Sequence, residues 1–206
     1  NEDGAIKVYV NVKDSFNNVG IASTSIVVMD EKVKARKYLA ATTKLPFYVY
    51  REGIEMPYAP SGYMGNLKHI EVDTRNQEDV QVGEYALKVG YTAKNDWYGL
   101  ALMDPANDWG DILGGYDISG AKKFSFWAKT DGVDVKVKIG FGLIDKDKPF
   151  PDTAKKSEEI VLTSEWKRYS IKLKNLDLSC IRTGLVIFSS ADGFSHEIYL
   201  DDVVFE

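Results

Sequence analysis

Residues 134–143 read "DVKVKIGFGL", and the pattern of this stretch decides the fold. Val135, Val137, Ile139 and Phe141 alternate with Lys136, Lys138 and Gly140. Successive side chains of a strand point to opposite faces, so an apolar period of two marks a half-buried β-strand. Its apolar face belongs in a core, and its lysine face meets water or a ligand. The segment "EYALKVGYT" at 84–92 repeats the arrangement with Tyr85, Leu87, Val89 and Tyr91.

Working outward, the same period recurs in "LKHIEVD" (67–73), "WYGLALM" (97–103), "KKFSFWAKT" (122–130), "EEIVLT" (158–163), "KRYSIKLK" (167–174), "TGLVIFSS" (183–190) and "EIYLDDVVFE" (197–206). Short strands at this spacing, punctuated by Gly, Pro, Asn and Asp, predict an all-β sandwich. Helical periodicity is nearly absent. Toward the N-terminus, "AIKVYVNV" and "VGIASTSIVV" flank "DSFNN" and predict a β-hairpin over 5–28, while "DEKVKARKYLA" suits one helical turn or a charged linker. "KLPFYVYREG" reads as a further strand, and "GIEMPYAPSGYMGN" as a connector. The first 50 residues hold too few strands for a sandwich of their own. A division is therefore expected near 53–65, with residues 1–52 as N-terminal strands and linker packed on the main domain and 53–206 as that domain.

Composition narrows the function. The 206 residues are 44% hydrophobic, enough for a real core, and no run approaches the roughly 18 apolar residues of a membrane span. Net charge is −5 and the basic residues are spread out, which argues against nucleic acid or an anionic membrane as partner. No signal peptide is visible, and the opening "NEDGAIKVYV" looks like a cut inside a longer protein. The single cysteine, Cys180, excludes an internal disulfide and suits a small buried thiol.

The stretch "DPANDWGDILGGYDISG" at 104–120 has the glycines, proline and acids of a turn, yet it also carries Trp109 and Tyr116. Exposed aromatic rings beside Asn107, Asp108 and Asp111 offer an apolar platform with fixed hydrogen-bonding groups, a combination that suits sugars. Such rings equally suit loop anchors. In "NDWYGLAL", Tyr98 shares parity with Leu100 and Leu102 and is expected inward, so Trp97 faces out. Trp127 lies on the face opposite Phe124 and Phe126, and Trp166 reads as a structural anchor. The loop "DKDKPFPDTAKKSEE" at 145–159 is either solvated or a rim bringing Phe150 and Asp152 to a ligand. His69 and His196 accompany no nucleophile motif and are expected to be structural or exposed. "HIEVDTRNQE" misses the paired-carboxylate register of a retaining glycosidase, because Asn76 stands where the second acid is needed and Glu78 falls out of register. No catalytic residue is assigned.

Taken in order, "PSGYMGN" (60–66), "DPANDWGDILGGYDISGAKKFSFWAK" (104–129), "SEWKRYSIKL" (164–173) and "EIYLDDVVFE" (197–206) resemble the jelly-roll, galactose-binding-like carbohydrate-binding modules of bacterial glycoside hydrolases and surface glycan-binding proteins. "GAIKVYVNVKDSFNNVGIASTSIVV" is similar to the last strands of the immunoglobulin-like domains that precede such modules. The resemblance implies a non-catalytic polysaccharide-binding module, exported by a bacterium and linked to catalytic or immunoglobulin-like domains. It also implies a structural calcium ion, held by Asp73 or Glu78 together with Asp201 or Asp202. The expected sugar contacts are Trp97, Trp109, Tyr116, Trp127, Asn107, Asp108 and Asp111. The alternatives are a spacer without ligand and, further off, a jelly-roll glycosidase.

Overall fold

A computed structural model describes residues 4–13, 19–28, 40–53 and 56–206, with the first two segments described as backbone strands only. The expected turn or linker over 30–40 lies almost wholly outside the described residues, as do the side-chain faces of the N-terminal hairpin.

Among the described residues fifteen strands follow one another: β1 Gly4–Lys13, β2 Val19–Val28, β3 Ala41–Thr42, β4 Phe47–Tyr50, β5 Ala59–Gly65, β6 Ile70–Asn76, β7 Ala86–Tyr91, β8 Trp97–Met103, β9 Tyr116–Asp117, β10 Lys123–Thr130, β11 Val135–Phe141, β12 Lys156–Leu162, β13 Lys167–Lys172, β14 Thr183–Ser190 and β15 His196–Phe205. The only helical element among the described residues is a 3₁₀ turn at Leu67–His69. β1 and β2 pair antiparallel from Gly4↔Val28 to Lys13↔Val19, the hairpin that the alternation around "DSFNN" predicts.

Two antiparallel sheets form the sandwich. One runs β13-β10-β15-β7-β6, and the other β12-β11-β14-β8-β5. The inward residues are those the period of two selects: Val135, Val137, Ile139 and Phe141 on β11, Leu87, Val89 and Tyr91 on β7, and Phe124, Phe126 and Ala128 on β10. Tyr98, Leu100 and Leu102 fill the same core from β8. Phe124 stands at its centre, 4.8 Å from the Phe205 ring and 5.5 Å from that of Phe141. Burial of these large side chains contributes about 1.5–3 kcal/mol each and drives the two sheets together.

Residues 41–50 lie on the N-terminal side of the expected division at 52/53, and their hydrogen bonds are to the sandwich. β4 pairs antiparallel with β15, Tyr50 opposite Val203 and Phe47 opposite Phe205. β7 accompanies β15 over His196–Leu200, and β4 continues along that same strand past the point where β7 ends. β3 pairs in parallel with β9. Val49 and Tyr50 are fully buried, so this short segment closes one edge of the core.

Candidate functional site

The five-stranded sheet turns its inner face to the core and leaves only the Trp97–Phe188 end of its outer face open, Ala101, Met103 and Val186 being buried at the other end. On β8 the outward set is Trp97, Gly99, Ala101 and Met103, and on β14 it is Val186, Phe188 and Ser190. The register sets these side by side, Trp97 with Ser190, Gly99 with Phe188, and Ala101 with Val186. Lys138 of β11 lies opposite Phe188 on the other flank, and Glu159 of β12 lies opposite Lys138. A row of apolar residues thus crosses the sheet with charged groups on its far side.

Glycines shape this surface. A Cβ at Gly99 would come within 2.8 Å of the Phe188 ring and 3.0 Å of the Met64 methyl, so both side chains lie across the strand where a larger residue would lift them. At Gly65, whose φ is 74°, a Cβ would lie 3.0 Å from the Trp97 indole. That indole therefore rests against the turn after β5. Trp97 is 49% exposed while its neighbour Tyr98 is fully buried. Tyr98 stacks on Tyr91 at 4.4 Å and its hydroxyl lies 3.0 Å from His196 Nε2. This inward anchor holds the strand so that the next residue's ring must project outward. Burial pushes His196 below the ordinary imidazole range, and the ring serves the core as expected.

Two adjoining hollows mark the open face. One, about 350 Å³, is lined by Trp97, Lys136, Lys138, Glu159, Phe188 and Asp192 among others. The second, about 480 Å³, shares Lys138 and Phe188 and continues to Leu143, Asp145, Lys155 and Ser157. Lys136 pairs with Glu159 at 3.0 Å, and Lys155 pairs with Asp145. Lys138 is exposed between them and has no carboxylate partner within 4 Å among the described residues. The face offers ring surfaces, an available ammonium group and paired charges along a shallow groove, which is a set of contacts for a polar chain with apolar faces.

The loop at 104–116 folds back over the other end of this face. Trp109 is half-buried against Ala101, Met103, Ile144 and Val186, in the same apolar cluster as Phe188 and Met64. Its Nε1–H donates to Asn107 Oδ1 at 3.4 Å, and Asn107, exposed at φ 52°, donates its own N–H to Ser61 Oγ at 2.8 Å. Asp108 is a staple for the loop and not an open acceptor. Its carboxylate accepts the N–H groups of Gly110 and Asp111 at 3.2 Å each, and it is ion-paired to the buried Arg182. Asp111 is exposed beside Lys148 at 3.2 Å.

Tyr116 is a correction to the sequence reading. It is buried between Phe47 and Tyr58, 4.9 and 5.0 Å between ring centroids, and its hydroxyl donates to Pro57 O at 3.1 Å. A ring held from three sides presents no platform. Trp127 is half-buried on the outer face of the six-stranded sheet, the opposite side of the molecule from Trp97. Trp166, the expected anchor, donates Nε1–H to Asp79 Oδ1 at 2.8 Å. Asp152 is likewise no rim residue: it is buried, and its carboxylate accepts five hydrogen bonds from Leu143, Ile144, Arg182 and Thr183.

The residues named for calcium do not assemble a cation cage. No group of three or more His, Cys, Asp or Glu side chains is placed to hold a metal among the described residues. Asp201 is buried, with Oδ2 accepting Gln81 and Val82 N–H at 3.1 and 2.8 Å and Oδ1 accepting Asp202 N–H at 2.8 Å. Those donors present positive ends where a cation would have to sit, so the site does not fit the ion. Glu78 faces Lys88 at 3.7 Å, and Asp73 Oδ1 accepts Arg75 N–H at 2.8 Å.

Phe188, Met64 and Lys138 were not among the residues singled out for binding. The alternation of "TGLVIFSS" carries the signal for Phe188, since it shares parity with Val186 and opposes Leu185 and Ile187. Nothing in that stretch shows that Gly99 will lie beside it.

No protein-family model and no curated protein sequence matches the chain. Solved structures do. The chain is similar to a carbohydrate-binding module of the β-sandwich superfamily studied for promiscuous specificity, at 15% identity and TM-score 0.54, covering 100% of this chain and 75% of that one. It is also similar to the family 30 carbohydrate-binding module of a cellulosomal cellulase of Clostridium thermocellum, at 13% identity and TM-score 0.50, covering 79% and 98%. A further family 30 module matches at 14% identity and TM-score 0.51, covering 79% and 99%. At this identity the likeness establishes the fold, a β-sandwich of the kind found in carbohydrate-binding modules.

Proposed function

We propose that this chain is a non-catalytic module that binds a polysaccharide along the open face of its five-stranded sheet. The observation that carries the reading is the exposed Trp97 indole, aligned with Phe188 and Lys138 along two adjoining hollows. Aromatic rings accept the C–H faces of pyranose units, and Lys138, Glu159 and Ser190 supply hydroxyl partners around them. Trp109 closes the far end of the same apolar strip, with Asp111 exposed on its loop. The groove is shallow and bound hydroxyls give up good contacts with water, so single-chain affinity is modest.

A module of this kind acts by tethering. Held on the glycan, it raises the effective concentration of a linked domain. The sequence resemblance supports a glycoside hydrolase or surface receptor as that domain, an immunoglobulin-like neighbour ahead of the module, and bacterial export to the outside of the cell. No helix among the described residues is long and apolar enough to cross a membrane.

Calorimetric titration with plant, algal and host oligosaccharides tests the reading. At least one ligand is expected to bind, and Trp97→Ala and Phe188→Ala each to weaken it by about tenfold or more, the loss typical of a truncated aromatic anchor. Trp97 is half exposed and rests against the turn after β5, so its variant should stay folded and lose little of the melting temperature. Silence across the panel, or full affinity in both variants, overturns the proposal.

A further inference from the structure

The turns at 118–122 and 173–178 bound a hollow away from the groove just described. Two hydrogen bonds bracket it: Ile118 N–H donates to Leu178 O at 3.0 Å, and Leu173 N–H donates to Lys122 O at 2.9 Å. Between these points the two segments part and leave about 600 Å³. Gly120 and Asn175, at φ 98° and 63°, turn the two walls. The floor is apolar, with Ala121, Leu173 and Leu178 all buried.

The rim is basic. Lys122, Lys123, Lys172 and Lys174 line it, all exposed, against a single acid, Asp177, whose Oδ1 accepts Ser179 N–H at 3.0 Å. Lys123 and Lys172 are directly opposite one another on β10 and β13. Like charges in that relation destabilise a sheet. Among the described residues, none of the four ammonium groups has a carboxylate within 4 Å, whereas Lys88, Lys129 and Lys136 pair with Glu197, Asp79 and Glu159. A cluster of unpaired lysines in a chain of net charge −5 runs against its average and leaves a local demand for an anion.

We propose that this hollow binds an acidic sugar residue, with the carboxylate of a hexuronate or a sulfate ester set among the four lysines. Its volume lies within the roughly 300–1,000 Å³ of small-molecule sites and is more than a lone oxyanion fills. The leucine floor takes the C–H face of a ring while the lysine heads, point charges on flexible stems, close on the anionic group. The lysines belong to the rim of the six-stranded sheet, so this site is independent of Trp97 and the open face.

Three oligosaccharides of equal length test it by calorimetry: oligogalacturonate, a sulfated galactan oligomer and neutral galactan. Wild type, the double variant Lys172→Gln/Lys174→Gln and Trp97→Ala are compared. At least one acidic ligand is expected to bind about tenfold or more tightly than the neutral one, and to weaken as salt is added. The double variant should lose that advantage, while Trp97→Ala keeps it. The carboxylate and sulfate arms identify the anion. The double variant is expected to keep or raise the melting temperature, because it removes the repulsion between Lys172 and Lys123, so its loss of binding cannot be laid to unfolding. Equal binding of acidic and neutral ligands overturns the proposal, as does an acidic advantage that survives in the double variant. Loss of acidic binding in Trp97→Ala also overturns it, since the anion then sits on the open face, and leaves the reading of that face standing.

Discussion

Asp152 sets one carboxylate against five donors: the N–H groups of Leu143, Ile144, Arg182 and Thr183 at 2.6–3.0 Å, and the Thr183 hydroxyl at 3.0 Å. Burial pushes its pKa up, while the four N–H groups pull the other way by stabilising the charge. The residue ties the chain after β11 to the start of β14, directly under the loop that carries Trp109. Asp152→Ala would strand those donors in a dry environment, and an unmet buried donor costs about 1–3 kcal/mol. We expect a loss of roughly 3–5 kcal/mol, because some donors will recruit water. Urea unfolding measures it; a loss below about 1 kcal/mol would show that the loop holds without the carboxylate. Asp152 also illustrates why acids misled at this scale. In "KPFPDTAKK" it stands among charged and polar neighbours and looks solvated. Its burial depends on chain segments some 30 residues away, which local sequence does not display. Trp97 was legible for the converse reason, since its outward position follows from the parity of its immediate neighbours.

At the scale of elements, β15 departs from regular pairing just where it holds Asp201. The register against β10 shifts between Ser125 and Trp127, and Asp202 adopts φ 43°. The shift coincides with an Asp201 carboxylate that accepts Gln81 and Val82 N–H, pinning the segment between β6 and β7 across the outer face. Burial raises its pKa to about 6 despite those donors. Between about 4, where the unfolded carboxyl titrates, and about 6, the folded state holds the extra proton. Its contribution is therefore greatest below that window, shrinks as pH rises through it, and is lost above. The melting temperature of wild type relative to Asp201→Asn is expected to fall from pH 4 to 6.5 and to level off above 7. A relative rise over that range would contradict it. Alternation made β7, β8, β10 and β11 readable, because each is long enough for the period to repeat. β9 was not readable. It is two residues long, and its parallel partner β3 lies 75 positions earlier, so Tyr116 passed for a loop residue when it is core.

At the scale of the whole molecule, the two sheets are covered differently. The five-stranded sheet leaves the Trp97 end of its outer face exposed, while the six-stranded sheet carries the 77–85 segment outside and β4 at its edge. Composition and period were enough to reach a two-layer β fold. Which strand closes β15 depended on pairings between the chain's two ends that no local pattern encodes. That closure makes residues 47–50 part of the sandwich's stability, and Tyr50 is the residue to test it. Its ring is fully buried and its hydroxyl donates to Thr74 O at 2.9 Å, joining β4 to β6 across the core margin. Tyr50→Ala removes a large aromatic from a packed site and should cost about 3–5 kcal/mol. Tyr50→Phe removes only the hydrogen bond and should cost about 1 kcal/mol. If β4 belonged instead to a separate N-terminal unit, Tyr50→Ala would leave the main unfolding transition in place. Denaturant melts followed by tryptophan fluorescence decide between these outcomes, since all four indoles lie between residues 97 and 166 and report only on the sandwich.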